Sequence, residues 1–212
     1  MRRIGIPDKW TCVDVLGVED DLLAMIPKPV LAMFLLFPMS DQQKDSSSKE
    51  IDSLKADGYK APANVYFMEQ IIRNACGTIA LMHSLGNVTD KLALEDGFFK
   101  DFYAKSKDLT PHDRCKALME DESLSTAHEH SAQEGQTQAP DIDVKVDHHF
   151  ICLVNKDGTL YELDGNKPFP IPHGSTTEDS FLKDAASVCK KFMARDPSEV
   201  RFTMIALVGG DA

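Results

Sequence analysis

The first stretch with residue types that could do chemistry is QIIRNACGTIA, residues 70–80. Apolar residues at helical spacing begin within this stretch and continue beyond it, at Ile79, Met82 and Leu85. We expect Asn74 to be the N-cap of this helix, which places Cys76 in the first turn. Exposed N–H groups and the helix dipole lower the pKa of a thiol there, and the thiolate is the reactive form. Gln70 precedes the same point, where its amide N–H could bind a developing oxyanion. A buried structural cysteine is an equally good interpretation of this stretch alone.

A thiolate nucleophile also needs a base, and a predicted hairpin offers one. Two β-rich runs, 149–154 and 159–164, flank the turn-forming sequence NKDG of Asn155–Gly158. If all four of those residues form the loop, Val154 faces Thr159. The rest of the pairing then follows from that register.

In this register His149 lies directly opposite Asp164 on one face of the sheet. A histidine held by a carboxylate is the arrangement of a general base. Strand side chains alternate between faces, so the neighbouring His148 is turned to the other face. A slip of one residue would reverse the choice between the two histidines. Without the cysteine, a surface histidine in a charged pair is an equally good interpretation of His149.

The remaining cysteines and histidines favour structural roles. Cys115 and Cys189 lie on apolar helix faces and Cys152 lies in a strand, so we expect all three in the core. His128 and His130 have no third ligand at useful spacing. We therefore expect no metal and no cofactor. Five cysteines without a CxxC pair do not suit a secreted disulfide framework, so we expect a reducing setting, the cytoplasm or the nucleus.

Composition limits the function classes further. The chain has 212 residues, 42% of them hydrophobic, which is enough for one domain covering residues 1–212. The formal net charge of −11 argues against binding a nucleic-acid backbone. The longest apolar run, 30–37, is too short to span a bilayer, so we expect no membrane segment.

The elements that must position these residues alternate between strands and helices. Strands are predicted at 10–15, 30–37, 149–154, 159–164 and 201–208, and helices near 20–26, 76–85, 96–107, 111–121 and 179–194. The polar stretch 41–52 is predicted to be a loop. Residues 122–146 are polar and without periodicity, which is typical of a functional or disordered loop. The fold class is therefore α/β or α+β.

These residues and their surroundings closely resemble the short, single-domain ubiquitin carboxyl-terminal hydrolases. The matching segments are CVDVLG at 12–17, LLFP at 35–38, VYFMEQIIRNACGTIALMHSL at 65–85, EGQTQAP at 134–140, VDHHFICLV at 146–154, LYELDGNKPFPIPHG at 160–174 and CKKFMARDP at 189–197. They extend over nearly the whole chain.

The resemblance implies a papain-like thiol protease fold, with a central, largely antiparallel sheet flanked by helices. It further implies that Cys76 is the nucleophile, His149 the general base and then acid, and Asp164 the group that orients His149. Gln70 would be the oxyanion-hole donor, together with the backbone N–H of Cys76. Residues 122–146 would form a loop crossing over the active site and limiting the substrate to what can pass beneath it.

The resemblance also implies a substrate, namely ubiquitin carrying a small or unfolded C-terminal adduct, with the related modifier NEDD8 as a second candidate. An acidic chain could attract the arginine-rich tail of ubiquitin. Asp14 is a candidate contact for a tail arginine. We expect a monomer.

One departure from the family pattern concerns the N-terminus. Family members begin with a further Trp-x-Pro-Leu-Glu segment, whereas this sequence starts at MRRIGIPDKW, so we expect the first family strand to be missing. That expectation motivates a second hypothesis, a truncated ubiquitin-binding protein with little or no turnover. A third, a metal or redox protein, has almost no support from spacing.

Overall fold

The computed structural model describes residues 4–121 and 147–210, and a β-sheet forms its centre. Within these ranges six strands pair antiparallel throughout, in the order β1, β6, β2, β3, β4, β5. The strands are β1 (Trp10–Asp14), β2 (Val30–Pro38), β3 (His148–Lys156), β4 (Thr159–Leu163), β5 (Ile171–Ser175) and β6 (Thr203–Gly209). Among the described residues, β1 and β5 form the two edges of the sheet.

Helices cover both faces of the sheet. In the described ranges they are α1 (Asp20–Leu23), α2 (Asp41–Ala56), α3 (Cys76–Asn87), α4 (Thr89–Leu92), α5 (Phe98–Ser106), α6 (Pro111–Met119) and α7 (Phe181–Arg195). Each of these helices is too short or too polar to cross a membrane.

Alternation of side chains along the strands divides the core into two layers. In β3, Cys152 and Val154 belong to the layer that contains the buried residues of α3, α5 and α6. Ile151 and Leu153 belong to the opposite layer, with the buried residues of α1 and α7. Strand β2 contributes to both layers, which explains its nearly continuous apolar sequence VLAMFLLFP.

Most of the predicted elements are confirmed within a few residues of their ends. Each strand and each helix predicted from the sequence corresponds to an observed element. The sequence also predicts two loops, 41–52 and 122–146. The face of α7 predicted to be apolar is buried throughout, at Phe181, Leu182, Ala185, Val188, Cys189 and Phe192. The fold class and the largely antiparallel sheet are confirmed as well.

The loop predicted at 41–52 is wrong, because these residues form helix α2. The helix has no apolar stripe, and Gln43 is its one buried residue. Its start carries a signal that periodicity misses: Ser40 is the N-cap, and its hydroxyl accepts a hydrogen bond from the Gln43 N–H at 3.4 Å. Ser followed three residues later by Gln is a capping-box pattern. The Gln43 amide then donates to the Phe192 carbonyl at 2.8 Å, which ties α2 to α7.

The predicted crossover loop, residues 122–146, lies outside the described residues, and so do His128 and His130. The ends of this segment are adjacent to described elements on both sides. Residue 121 follows α6, and Asp147 comes directly before β3. The segment therefore leads straight into the strand that carries His149.

Candidate active site

Helix α3 begins at Cys76, so the thiol lies in the first helical turn, where the sequence predicts it. The N-cap, however, is Ala75, with no side-chain capping bond, so the prediction of Asn74 as the cap is wrong. Asn74 adopts a left-handed conformation with φ of 55°. Asparagine tolerates this conformation better than most residues do. A sharp backbone turn, and not a capping side chain, therefore presents Cys76 at the start of the helix.

The surroundings of Cys76 favour its thiolate form. Partial burial raises the pKa of the thiol, whereas His149 and the backbone of Phe150 lower it. The charge of His149 and a backbone hydrogen bond with Gly77 act in the same direction. The net result is a pKa below the ordinary value for cysteine, which is a property of nucleophilic thiols.

His149 is buried between Asp164 and Cys76. Its Nε2 lies 2.7 Å from Oδ1 of Asp164, whose side chain is also buried. Burial lowers the pKa of His149, but the hydrogen bonds and the charges of Asp164 and Cys76 together outweigh it and raise the pKa to about 9. The ring of Phe37 packs edge-on against the imidazole, with centroids 5.9 Å apart.

The hairpin that positions His149 is tighter than the sequence predicts. Lys156 faces Thr159, so the turn has two residues, Asp157 and Gly158, and not four. Both have positive φ, 51° and 79°, as a type I′ hairpin turn requires. The predicted direct pairing of His149 with Asp164 is therefore wrong.

The true register moves the pairing by two residues, because Cys152 faces Leu163 at the last observed pair of the hairpin. A shift of two keeps every side chain on its predicted face. Asp164 follows β4 directly and reaches His149 from a diagonal position. The sequence argument thus predicts the correct face with an incorrect register.

The site also includes Asn166 and Lys167, which follow Asp164 in the chain. The sequence analysis missed both of them. The backbone N–H of Asn166 donates to Oδ1 of Asp164 at 2.8 Å, the same oxygen that faces His149. Its side-chain amide nitrogen lies 3.4 Å from both ring nitrogens of His149. The N–H of Lys167 donates to the Asp164 carbonyl at 2.9 Å and closes the turn.

Gln70 lies against the same turn. Its N–H donates to the Gly165 carbonyl at 2.8 Å, and a Cβ on Gly165 would be 2.8 Å from Cβ of Gln70. Glycine is thus required there by the close approach. The side-chain Nε2 donates one hydrogen to the Ile72 carbonyl at 3.0 Å, which leaves its second N–H for an incoming oxygen. The buried Oε1 has no hydrogen-bond partner among the described residues.

A cleft of about 210 Å³ is shared by Gln70, Cys76, His149 and Asn166. Its lining consists of Met39, Lys44, Gln70, Asn74, Cys76, Asp147, His148, His149 and Asn166. A larger cleft of about 440 Å³, between residues 61–67, 107–114 and 168–170, contains none of the predicted catalytic residues. The smaller cleft is therefore the candidate active site.

The other candidate residues from the sequence are one histidine, one aspartate and three cysteines. His148 lines the cleft, but His149 and not His148 is among the groups that lower the pKa of Cys76. Asp14 is exposed on β1 opposite Ile205 and does not line the cleft. The predicted core cysteines are buried, namely Cys115, Cys152 and Cys189.

Among the described residues, one group of side chains has a metal-ligand arrangement, formed by Glu50, Glu162 and His173. The ammonium of Lys167 already lies 3.1 Å from Glu50 and 2.5 Å from Glu162. A lysine thus occupies the position that a cation would take. The donor set does not fit a resident metal while this lysine is in place.

Comparisons with known proteins agree with one another. The family model described as ubiquitin carboxyl-terminal hydrolase, family 1, matches residues 1–194. A ubiquitin carboxyl-terminal hydrolase of Drosophila melanogaster is 50% identical over 98% of this chain and 90% of its own length. The human ubiquitin carboxyl-terminal hydrolase isozyme L1 is 45% identical over 98% of this chain and 91% of its own length.

A solved structure shows a similar fold at lower sequence identity. It is the Trichinella spiralis UCH37 catalytic domain, bound to ubiquitin vinyl methyl ester. The TM-score is 0.74 and the identity 24%, with 94% of this chain and 85% of that chain covered. This similarity concerns the arrangement of the sheet and helices.

Proposed function

The chain belongs to family 1 of the ubiquitin carboxyl-terminal hydrolases, and from that membership and the geometry of the cleft we propose how it acts. It is a cysteine-type ubiquitinyl hydrolase. We propose that it removes small or unfolded adducts from the C-terminal glycine of ubiquitin. The observation that carries this proposal is the 2.7 Å contact between His149 and Asp164, in a cleft that Cys76 and His149 line together.

The proposed resting state is an ion pair of Cys76 thiolate and His149 imidazolium. The lowered pKa of Cys76 and the rise of the His149 pKa to about 9 both favour this distribution of the proton. Asp164 accepts a hydrogen bond from His149 and compensates its charge, so the imidazolium is stable despite burial. The nucleophile is thus activated before substrate arrives.

In the acylation step, the Cys76 thiolate attacks the carbonyl carbon of the terminal glycine of ubiquitin. A carbon–sulfur bond forms, and negative charge develops on the carbonyl oxygen. The second N–H of the Gln70 amide and the backbone N–H of Cys76 are the proposed donors to that oxygen. Donors that are already held in place, as these two are, do not have to reorganise when the negative charge develops. His149 then donates its proton to the leaving group, and the carbon–nitrogen or carbon–oxygen bond to the adduct breaks.

In the second step, water hydrolyses the thioester. His149, now neutral, takes a proton from the water, which attacks the same carbonyl carbon. The carbon–sulfur bond breaks, and ubiquitin leaves with a free terminal carboxyl group, which releases its proton to solvent. The proton on His149 and the negative charge on Cys76 restore the resting ion pair.

The substrate assignment rests on the relatives and on charge. The net charge of −11 can attract a basic ubiquitin tail toward the cleft, and Asp14 is a proposed contact for a tail arginine. NEDD8 is proposed as a second substrate. We further propose that residues 122–146, which lead directly into β3, restrict the size of the adduct.

The test is hydrolysis of ubiquitin that carries a fluorogenic amide on its terminal glycine. Wild type should release the fluorophore, whereas Cys76→Ala should release none and still bind ubiquitin. The control is Cys12→Ala, which removes an exposed thiol on β1 and should behave as wild type. Unchanged turnover in Cys76→Ala would refute the mechanism. Binding by wild type without any turnover would instead select the ubiquitin-binding hypothesis.

A further inference from the structure

A buried group of charged side chains lies behind the active site, and the proposed mechanism uses none of it. The side chain of Lys167 is 3% exposed and lies between Glu50 of α2 and Glu162 of β4, at 3.1 and 2.5 Å. Glu162 is fully buried and also contacts His173 of β5 at 2.8 Å. Arg195 of α7 lies 3.6 Å from Glu50. Four elements of the fold therefore meet at this group.

Glu162 and Lys167 are charged at neutral pH. Burial raises the pKa of Glu162, but Lys167 and His173 lower it more, to about 2. Burial lowers the pKa of Lys167, and Glu162 and Glu50 raise it above its ordinary value. Ionised groups at such depth are retained only where each one has a close partner. The lysine and its two carboxylates therefore form one interdependent unit.

The position of this unit in the sequence connects it to the triad. Glu162 lies two residues before Asp164, at the end of β4, and Lys167 lies three residues after it. The ion pair thus joins the two ends of the turn that carries Asp164. The backbone bond from the Lys167 N–H to the Asp164 carbonyl, 2.9 Å, closes the same turn. Glu50 then fixes the turn to helix α2.

We propose that Lys167 is a positioning residue of this enzyme, because its ion pair with Glu162 holds the turn in which Asp164 faces His149. The inference rests on the proposed role of Asp164. The distances involved leave little freedom: Oδ1 of Asp164 is 2.7 Å from His149 and 2.8 Å from the Asn166 N–H. Loosening the turn would lengthen both contacts and weaken the support for the imidazolium.

The experiment compares Lys167→Met with the double variant Lys167→Met/Glu162→Gln. Removing only the lysine leaves the buried Glu162 with His173 as its remaining close partner, which is destabilising, whereas replacing both charges by neutral groups is less so. The double variant also keeps the local net charge of the wild-type pair. It therefore separates a need for folding stability from a need for the ion pair itself. Lys100→Met, which removes the exposed pair between Lys100 of α5 and Asp96, is the matched control.

Three measurements are made on each variant: the free energy of unfolding in urea, kcat and KM for the fluorogenic ubiquitin amide, and the pH midpoint of Cys76 alkylation by iodoacetamide. We expect the double variant to recover most of the stability lost in Lys167→Met. We expect its kcat to stay about tenfold below wild type, in line with small misplacements of catalytic groups, with KM little changed. Its alkylation midpoint should lie above that of wild type.

A double variant with wild-type kcat and a wild-type alkylation midpoint would overturn the proposal. If neither variant folds, Glu162→Gln decides, since it removes the charge from the pair with Lys167 while Lys167 keeps Glu50 as a partner. A lower kcat with unchanged KM in that variant supports the proposal, and wild-type kinetics overturn it. Alkylation requires no ubiquitin, so it tests the positioning of Asp164 even if ubiquitin turnover is absent. Absent turnover in wild type would count only against the proposed function.

Discussion

The Asp164→Asn variant is the most informative single substitution in the site. Asparagine has nearly the same shape and retains an oxygen that can face Nε2 of His149, so the 2.7 Å contact can persist without its charge. The Asn166 N–H can likewise continue to donate to that oxygen. Folding should therefore be little affected, and the change isolates the negative charge that supports the imidazolium.

The size of the effect follows from the pKa of His149. The rise from 6.5 to about 9 occurs against a desolvation that lowers the pKa, and Asp164 and Cys76 both contribute to it. That rise corresponds to about 3 kcal/mol of imidazolium stabilisation, at about 1.4 kcal/mol per pKa unit. If Asp164 supplies about half of this stabilisation, Asp164→Asn lowers the population of the Cys76–His149 ion pair roughly tenfold. If Asp164 supplies most of it, the population falls up to about a hundredfold. The pKa at which the Cys76 thiolate forms should rise by about one to two units.

The assay is the rate of iodoacetamide alkylation of Cys76 across a pH series, followed by intact mass. Asp164→Asn should move the midpoint to higher pH, and kcat for ubiquitin hydrolysis should fall by at least the same factor. Asp147→Asn is the matched control, because it makes the same substitution in the lining of the same cleft and should leave the midpoint unchanged. A wild-type midpoint in Asp164→Asn would refute the role of Asp164 in holding the ion pair.

Further predictions concern His149, the neighbouring His148 and Gly165. His149→Ala should lower kcat by about 10²–10⁴-fold, as expected for a lost general acid–base group; His148→Ala should be mild, and equal losses would mean that the base is misassigned. Gly165→Ala should lower kcat about tenfold, since the new Cβ would be 2.8 Å from Cβ of Gln70 and displace this proposed oxyanion donor; wild-type kcat would show that Gln70 is not constrained there. Because the folded-state pKa of His149 is raised, its stabilising contribution should be complete below pH 6.5 and lost as the pH rises through about 9. Urea unfolding of wild type and His149→Gln across this range measures it, and a pH-independent difference would contradict it.

The sequence was sufficient to predict the elements whose burial is repeated along the chain. Strand β2 is apolar because both of its faces are covered, and the buried face of α7 recurs at helical spacing. Helix α2 has no such pattern, since Gln43 is its one buried residue, and its first turn is held by Ser40 and by the contact of Gln43 to α7. Hydrophobic periodicity cannot identify a helix that is held by its cap and by polar contacts.

The active site shows a similar division. The face of the sheet that carries His149 was predictable, because strand alternation survives a shift of two residues. The register was not, since NKDG suits both a four-residue loop and the observed two-residue turn at Asp157 and Gly158. Asn166 and Lys167 were missed because their contacts depend on the path of the turn after β4. No local spacing rule encodes that path.

The central claim, that Cys76 is an activated thiolate at the end of a ubiquitin-binding cleft, is tested most directly with a ubiquitin C-terminal vinyl methyl ester. The probe is incubated with wild type and with Cys76→Ala, and the products are read by intact mass. A single covalent adduct on wild type, mapped to Cys76 and absent from Cys76→Ala, is the predicted result. No adduct on wild type, or an adduct that persists in Cys76→Ala, would contradict it.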